Sequence, residues 1–170
     1  DGDGLLTDYI SGAEAPASVE LGIPANIPEQ YIADLSLRLG IYRKLVGISS
    51  LGKVSSMEDE LLDRFGPLPW QVQNLLYGVR LKLLAGQAGM RSIHREDGSL
   101  VLRLRGDVGG SRQALRRLLG RGVAVGHTQI RLDLAKLADG WEGPLKETVE
   151  KLAEFRERLA AQLEEGGHGI

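Results

Sequence analysis

The spacing of apolar residues changes once along this chain, and the change restricts the possible folds more than any other feature of the sequence. Up to about Gly86 or Gly89, apolar residues recur at steps of three and four, the period of a helix with one buried face. Beyond that point, short segments alternate apolar and polar residues, which is typical of a half-buried strand. Helices followed by strands, without regular alternation, predict an α+β fold.

The first half is predicted to contain three helices joined by short loops. The first opens at Pro28 and should bury one apolar stripe, which consists of Ile32, Leu35, Leu39, Tyr42 and Val46. The second starts at the capping box Ser55-x-x-Glu58 and ends at Gly66. The third starts near Pro69.

The second half is predicted to form a mostly antiparallel sheet in the order β-β-α-β-β, followed by a long C-terminal helix. Asp97-Gly98 lies between MRSIHRE and SLVLRLR and indicates a two-residue type I′ hairpin. Ser111 is expected to cap a short helix that ends at Gly120, before the strands VAV and QIRLDL. The last helix should run from about Pro144 to Glu165.

Near the two ends of the chain, apolar residues follow neither the helical spacing nor the strand alternation, and this loss predicts the domain boundaries. Residues 1–17 mix Gly, Asp, Ala and Pro and are predicted to be a linker or a segment from a preceding domain. SVELGI, residues 18–23, predicts a short strand, and residues 18–165 should form one domain before a disordered tail at 166–170. Because the chain begins with Asp1 and not Met, we expect a fragment of a longer protein.

Composition excludes several classes of protein. The 170 residues contain no cysteine, which removes disulfides and thiolate chemistry and agrees with a reducing compartment. No apolar run approaches the roughly 18 residues of a spanning helix, so we expect a soluble, cytoplasmic protein without a membrane partner. The net charge of −2 argues against a dedicated nucleic-acid binder but allows a local basic face.

Residues 47 to 53, GISSLGK, fit the G-x-x-x-x-G-K part of a phosphate-binding loop. The next residue is Val54, which has no hydroxyl to hold magnesium, and a helix enters the segment where such a loop needs a strand. We therefore predict an interhelical loop here, and no cofactor bound by this chain.

Few residues suggest metal or acid–base chemistry. The histidines are His94, His127 and His168. None has the spacing of a metal site, and we expect them on the surface or in hairpins. The one carboxylate cluster is Glu58, Asp59, Glu60 and Asp63. At the start of a helix such groups offset the helix dipole, so no catalytic or metal-binding residue is predicted.

One run of the chain is strongly basic. It contains Arg103, Arg105, Arg112, Arg116, Arg117 and Arg121. These residues are the candidates for contact with phosphate, although no aromatic residue is interleaved to stack on bases. A solvated face and an acidic protein partner are the alternatives.

The helical half carries a family pattern. Residues 23–45 contain I-P-x-x-Y-I and R-L-x-x-Y-R, and residues 60–69 contain E-L-x-D-R-F-G-x-x-P. Together with VQNLL and GVRLKLLAGQAGM, these motifs resemble the C-terminal domain of the bacterial transcription-repair coupling factors (Mfd). The resemblance covers residues 23–93.

The resemblance implies a non-catalytic regulatory domain of an ATP-driven DNA translocase that acts in transcription-coupled nucleotide excision repair. Such a domain docks on the UvrB-like domain of its own protein, masks the UvrA-binding site and restrains the motor. ATP, magnesium, DNA and RNA polymerase are then handled by other domains. The charged docking candidates within the resembling segment are Arg38, Arg43, Glu60, Asp63 and Arg64.

Two functions therefore remain open at this point. The chain is either an interaction domain for its own protein or a nucleic-acid contact module that uses the Arg103–Arg121 run. Salt dependence separates them, because phosphate binding weakens steeply with added salt and protein docking weakens much less.

Overall fold

A computed structural model describes residues 9, 16–137 and 139–166. Within the predicted linker, only Tyr9, Pro16 and Ala17 belong to the described residues, and within the predicted tail only Gly166 does. The chain divides into two compact units. We call Gly22–Leu83 the helical unit, and Asp1–Leu21 together with Leu84–Ile170 the sheet unit.

The helical unit is built from three helices, of which the third continues into the sheet unit. They are α1 (Leu35–Val46), α2 (Leu51–Phe65) and α3 (Trp70–Gln87). The core of the unit contains Ile27, Ile32, Ile41, Leu45, Val54, Met57, Leu61, Val72 and Leu76. Two tyrosines of the unit connect residues far apart in sequence through hydrogen bonds. The Tyr31 hydroxyl donates to the Gly66 carbonyl at 2.9 Å, and the Tyr42 hydroxyl accepts from the Ile27 N–H at 2.6 Å.

Helix α1 begins seven residues later than predicted. Pro28 opens an isolated turn, and the helix starts after Asp34, whose carboxylate accepts the Leu37 N–H at 3.1 Å. The predicted buried stripe is also wrong in part, since Leu35 and Val46 are exposed while Ile41 and Leu45 are buried. The helix carries two apolar stripes, and periodicity alone does not decide which of them the core selects.

Helix α2 starts earlier than predicted. Its N-cap is Ser50, which accepts the Lys53 N–H at 3.3 Å, so the capping box at Ser55 is wrong and Gly52 lies in the helix. Glu58 is therefore in the helix interior, where it forms an ion pair with Arg80 instead of offsetting the dipole. Of the segment GISSLGK, residues 47–50 stand between the two helices, whereas Leu51, Gly52 and Lys53 belong to the first turn of α2, so the interhelical loop is shorter than predicted.

Within residues 16–137 and 139–166, the sheet unit contains five strands and two helices besides the end of α3. They are β1 (Ser18–Glu20), β2 (Met90–Glu96), β3 (Ser99–Leu104), α4 (Arg112–Leu119), β4 (Val123–Val125), β5 (Gln129–Asp133) and α5 (Glu142–Gly166). The strand order is β1-β2-β3-β5-β4, with β1 parallel to β2 and the other pairs antiparallel. The α+β prediction is confirmed, including the long last helix.

Turn chemistry sets the register of the central hairpin. Asp97 and Gly98 both have positive φ, 48° and 77°, which is the type I′ geometry predicted from the sequence. Ser111, in contrast, makes no side-chain cap; a short 3₁₀ turn, Gly109–Ser111, leads into α4 instead.

One face of the sheet is buried and the other is polar. The buried face carries Ile93, Leu100, Leu102, Ile130 and Leu132, each at most 2% exposed. Helix α5 contributes buried apolar side chains to this unit, and α4 packs against both α5 and β4. None of the helices in the described part of the chain is long and apolar enough to cross a membrane.

Tyr9 is a core residue of the sheet unit although it lies in the stretch predicted to be a linker. Its side chain is fully buried, and its hydroxyl donates to the Ala88 carbonyl at 2.6 Å. The buried Arg156 donates from Nε to the Tyr9 carbonyl at 3.0 Å and lies 5.8 Å from the ring centroid. Residue 9 is thus anchored to the end of α3 and to α5.

Two glycines give opposite expectations for substitution by alanine. Gly66 ends α2 at φ 87° and ψ −165°, a conformation nearly restricted to glycine, so Gly66→Ala should lower the free energy of unfolding by about 1–3 kcal/mol. Gly40 lies inside α1 with open space at its Cβ position, and Gly40→Ala should raise that free energy by about 0.5–1 kcal/mol. Urea unfolding of the two variants measures both, and changes of equal sign would contradict the assignment.

Candidate functional site

Arg38, a predicted docking residue, is mostly used inside the helical unit. Its guanidinium donates to the carbonyls of Ile32 at 2.7 Å and Ala33 at 3.0 Å, and it lies 3.7 Å from the Glu29 carboxylate. Only 11% of the side chain is exposed. Arg38 therefore fastens the turn before α1 to the helix, and little of it faces outward.

The other four docking candidates lie at the surface. Glu60 and Arg64 form an i,i+4 ion pair at 3.1 Å, and the Arg64 guanidinium also lies 5.0 Å from the centroid of the Phe65 ring. Arg43 and Asp63 are exposed and form no ion pair with any residue that the structure describes. Two opposite charges on the helical unit are thus open to an external partner.

The surface of the helical unit also carries apolar side chains that the sequence assigned to the core. On α1, Leu35 is 60%, Leu39 is 44% and Val46 is 89% exposed. Steps of four and seven residues place them on one side of the helix, which we call the α1 apolar face. Elsewhere in the unit, Leu62 and Trp70 are also exposed. The signal available in the sequence was the surplus of apolar residues in α1, which exceeds what one stripe requires.

The structure separates the members of the basic run. Arg103 projects from β3 toward Glu96 at 4.0 Å, and Arg105 is half-buried. Arg116, Arg117 and Arg121 are exposed. The run is therefore not one continuous basic surface.

A cleft of about 500 Å³ collects two members of the run together with an arginine that sequence reasoning missed. Arg112 and Arg116 of α4 line it with Arg131 of β5. Arg112 is held in place, because its Nε donates to the Val125 carbonyl at 2.9 Å. The alternation in QIRLDL could have identified Arg131, since it places this side chain on the polar face of the sheet.

The polar face of the sheet is organised around Glu96. His94 lies 3.1 Å from its carboxylate, Arg131 3.9 Å and Arg103 4.0 Å. The hydrogen bond from His94 is the largest effect on the pKa of the Glu96 carboxyl and lowers it; burial opposes this shift, and the charges of Arg131, His94 and Arg103 each lower the pKa further. Under these long side chains Val101 is fully buried.

The remaining histidines have separate surroundings. His127 is exposed and lies 3.3 Å from Asp107, and His168 lies outside the described residues. Within the part of the chain that the structure describes, no group of three or more His, Cys, Asp or Glu side chains could hold a metal ion.

Comparison with known proteins agrees with this fold. The TRCF domain family model matches residues 21–113, more than half of the chain. The transcription-repair-coupling factor of Rickettsia conorii is 36% identical over 86 residues, which cover 51% of this chain and 8% of that protein. The Mycobacterium bovis protein of the same name is 40% identical over 83 residues, or 48% of this chain and 7% of that protein.

A solved structure extends the similarity beyond the matched segment. The crystal structure of the C-terminal domain of a transcription-repair coupling factor superposes with a TM-score of 0.69 at 24% identity, covering 85% of this chain and 97% of that one. The class is thus an α+β domain with a helical unit ahead of a mostly antiparallel sheet. The chain belongs to the TRCF domain family.

Proposed function

We propose that this chain is a non-catalytic regulatory domain of a transcription-repair coupling factor, an ATP-driven DNA translocase of transcription-coupled repair. It docks on the UvrB-like domain of the same protein, masks the surface that binds UvrA and restrains the motor. ATP and magnesium belong to the motor domains of the longer protein, and so do the contacts that move DNA.

The α1 apolar face is the observation that carries this proposal. Soluble proteins rarely leave several large apolar side chains exposed side by side unless a partner covers them. The face lies inside the segment that matches the family model, and Leu35, Leu39 and Val46 contribute little to the core of their own unit. An interaction surface explains why a helix of this length carries more apolar residues than its core uses.

The charged residues of the helical unit favour a surface that docks reversibly over one that stays permanently buried. Arg43 and Asp63 have no ion pair among the described residues, and the pair between Glu60 and Arg64 is exposed. An exposed ion pair contributes about 0.2–1 kcal/mol to stability. Replacing it by an ion pair with the partner domain therefore changes the free energy of docking only modestly. Such a surface can open when another ligand competes for the partner domain.

Tethering makes weak docking sufficient. When two domains belong to one chain, the effective concentration of one domain around the other is on the order of 1 mM. A dissociation constant of about 10 μM would then keep about 99% of the molecules closed. Release of the domain requires only a competing interaction of similar strength, which fits a regulated motor.

The test uses the full-length protein with Leu35→Ser and Leu39→Ser combined. We expect higher DNA-stimulated ATP hydrolysis and stronger capture of UvrA, as for a protein that lacks residues 23–170. Because both leucines are exposed, the unfolding midpoint of the isolated chain should change little. Lys44→Ala, an exposed change on the opposite side of α1, is the matched control and should leave both activities unchanged.

Two results would contradict the proposal. A protein truncated before Ile23 that hydrolyses no ATP on DNA, or that still fails to capture UvrA, would exclude autoinhibition by this domain. If truncation activates the protein but the double serine variant does not, the domain is inhibitory through a surface other than the α1 apolar face.

A further inference from the structure

A second surface, on the sheet unit, is independent of the α1 apolar face. The cleft of about 500 Å³ between α4 and the edge strand β4 is lined by three arginines, Arg112, Arg116 and Arg131. A smaller cleft of about 220 Å³ shares Val123 with it and is lined by Arg121, Lys136 and Lys151. The two clefts are neighbours at Val123, and we call their cationic side chains together the basic tract.

Little negative charge opposes these cations. Glu147, the carboxylate lining the smaller cleft, is already paired with Lys151 at 3.1 Å. Glu96 lies 3.9 Å from Arg131, a long contact that it shares with Arg103 and His94. Arg116 and Arg121 form no ion pair with any described residue. The tract has unneutralised positive charge in a chain whose net charge is −2.

The larger cleft is also partly preorganised. The bond from Arg112 Nε to the Val125 carbonyl fixes that side chain, and Nη1 lies 3.5 Å from His127 Nε2, so Nη2 is the nitrogen left as a donor. Arginine in a fixed position recognises phosphate oxygens with paired hydrogen bonds, and less side-chain entropy is lost when the anion binds.

The two clefts carry positive charge but are lined by no aromatic side chain, and this combination indicates which class of ligand they bind. Proteins that bind single strands combine basic grooves with aromatic residues on which bases stack, and neither cleft is lined by one. Contacts to duplex phosphates need only arginine, lysine and backbone N–H groups. We propose that the basic tract binds the phosphate backbone of duplex DNA, without sequence preference, and contacts at least two phosphates.

Fluorescence anisotropy of the 170-residue chain with a labelled duplex of arbitrary sequence tests this proposal. Between about 50 mM and about 250 mM salt, the logarithm of the binding constant should fall against the logarithm of salt with a slope of about −1.8 or steeper. Arg116→Ala and Arg121→Ala should each reduce the slope by about 1, and the double variant should reduce it by about 2. Both side chains are exposed, so the variants should remain folded.

Arg43→Ala is the matched control, because it removes the same charge from an exposed position of the helical unit. It should leave the slope unchanged. Equal effects of Arg43→Ala and Arg116→Ala, or no binding at the lowest salt, would overturn the proposal. Tighter binding of an equally long single strand would overturn the assignment to duplex, and binding of polyglutamate without binding of the duplex would identify an acidic protein as the ligand instead.

Discussion

Tyr9→Ala is expected to lower the free energy of unfolding of the chain by about 3–5 kcal/mol, as for other large aromatic residues removed from a core. The ring is fully buried, and its hydroxyl satisfies the Ala88 carbonyl. The space around it is fitted to the ring, because a Cβ at Gly89 would lie 2.7 Å from Tyr9 Cε2. Gly89 has no side chain that could move into the space left by the ring.

Urea unfolding of the 170-residue chain measures this effect. Trp70→Ala is the control, since it removes an aromatic side chain that is 55% exposed and should change stability by only about 0.5 kcal/mol. A Tyr9→Ala variant with an unchanged unfolding curve would exclude residue 9 from the core. The prediction that residues 1–17 are a linker would then hold for Tyr9 as well.

Raising the pH above about 10 is expected to destabilise the chain through the same residue. Burial raises the pKa of the Tyr9 phenol well above its ordinary value of about 10, and the charge of Arg156 offsets part of that rise. At such a pH the unfolded chain releases the phenolic proton while the folded chain retains it. The contribution of Tyr9 to stability is therefore complete below pH about 10 and falls by up to about 1.4 kcal/mol per pH unit above it.

Tyr9→Phe isolates this contribution from other groups that titrate in alkali. The variant loses the hydrogen bond to Ala88 and should be less stable at neutral pH by about 1 kcal/mol or more. Its stability should then decline less steeply than that of the unchanged chain between about pH 10 and about pH 11.5. Parallel curves would show that the phenol of Tyr9 reaches solvent in the folded state.

The features that were predicted correctly are those set by a few neighbouring residues, such as turns and helix ends. The positive φ angles of Asp97 and Gly98 follow from the two-residue turn, and the end of α2 at Gly66 follows from the freedom of glycine at φ 87°. The starts of α1 and α2 were displaced because several residues could cap each helix. Asp34 and Ser50 act as caps, whereas the predictions placed the starts at Pro28 and Ser55.

The candidate sites were predicted less well than the fold, because a site depends on residues far apart in sequence. Arg112 and Arg116 were named from the basic run, but Arg131 joins them only through the pairing of β5 with β3 and β4. Arg38 was named as a docking residue, yet its hydrogen bonds to Ile32 and Ala33 depend on a turn that the sequence reading had placed inside a helix.

The sequence by itself determined the α+β class, the order of the helices and strands, and the motifs typical of the TRCF family, because periodicity, turn residues and short motifs are local properties of the chain. Only the tertiary structure decided which apolar stripe of α1 is buried, and it placed Tyr9 in the core of the sheet unit. Both outcomes depend on which surfaces of the helices and strands come into contact in the folded chain. A stripe such as Leu35 and Leu39 is chemically equivalent to Ile41 and Leu45 until the core covers one of them.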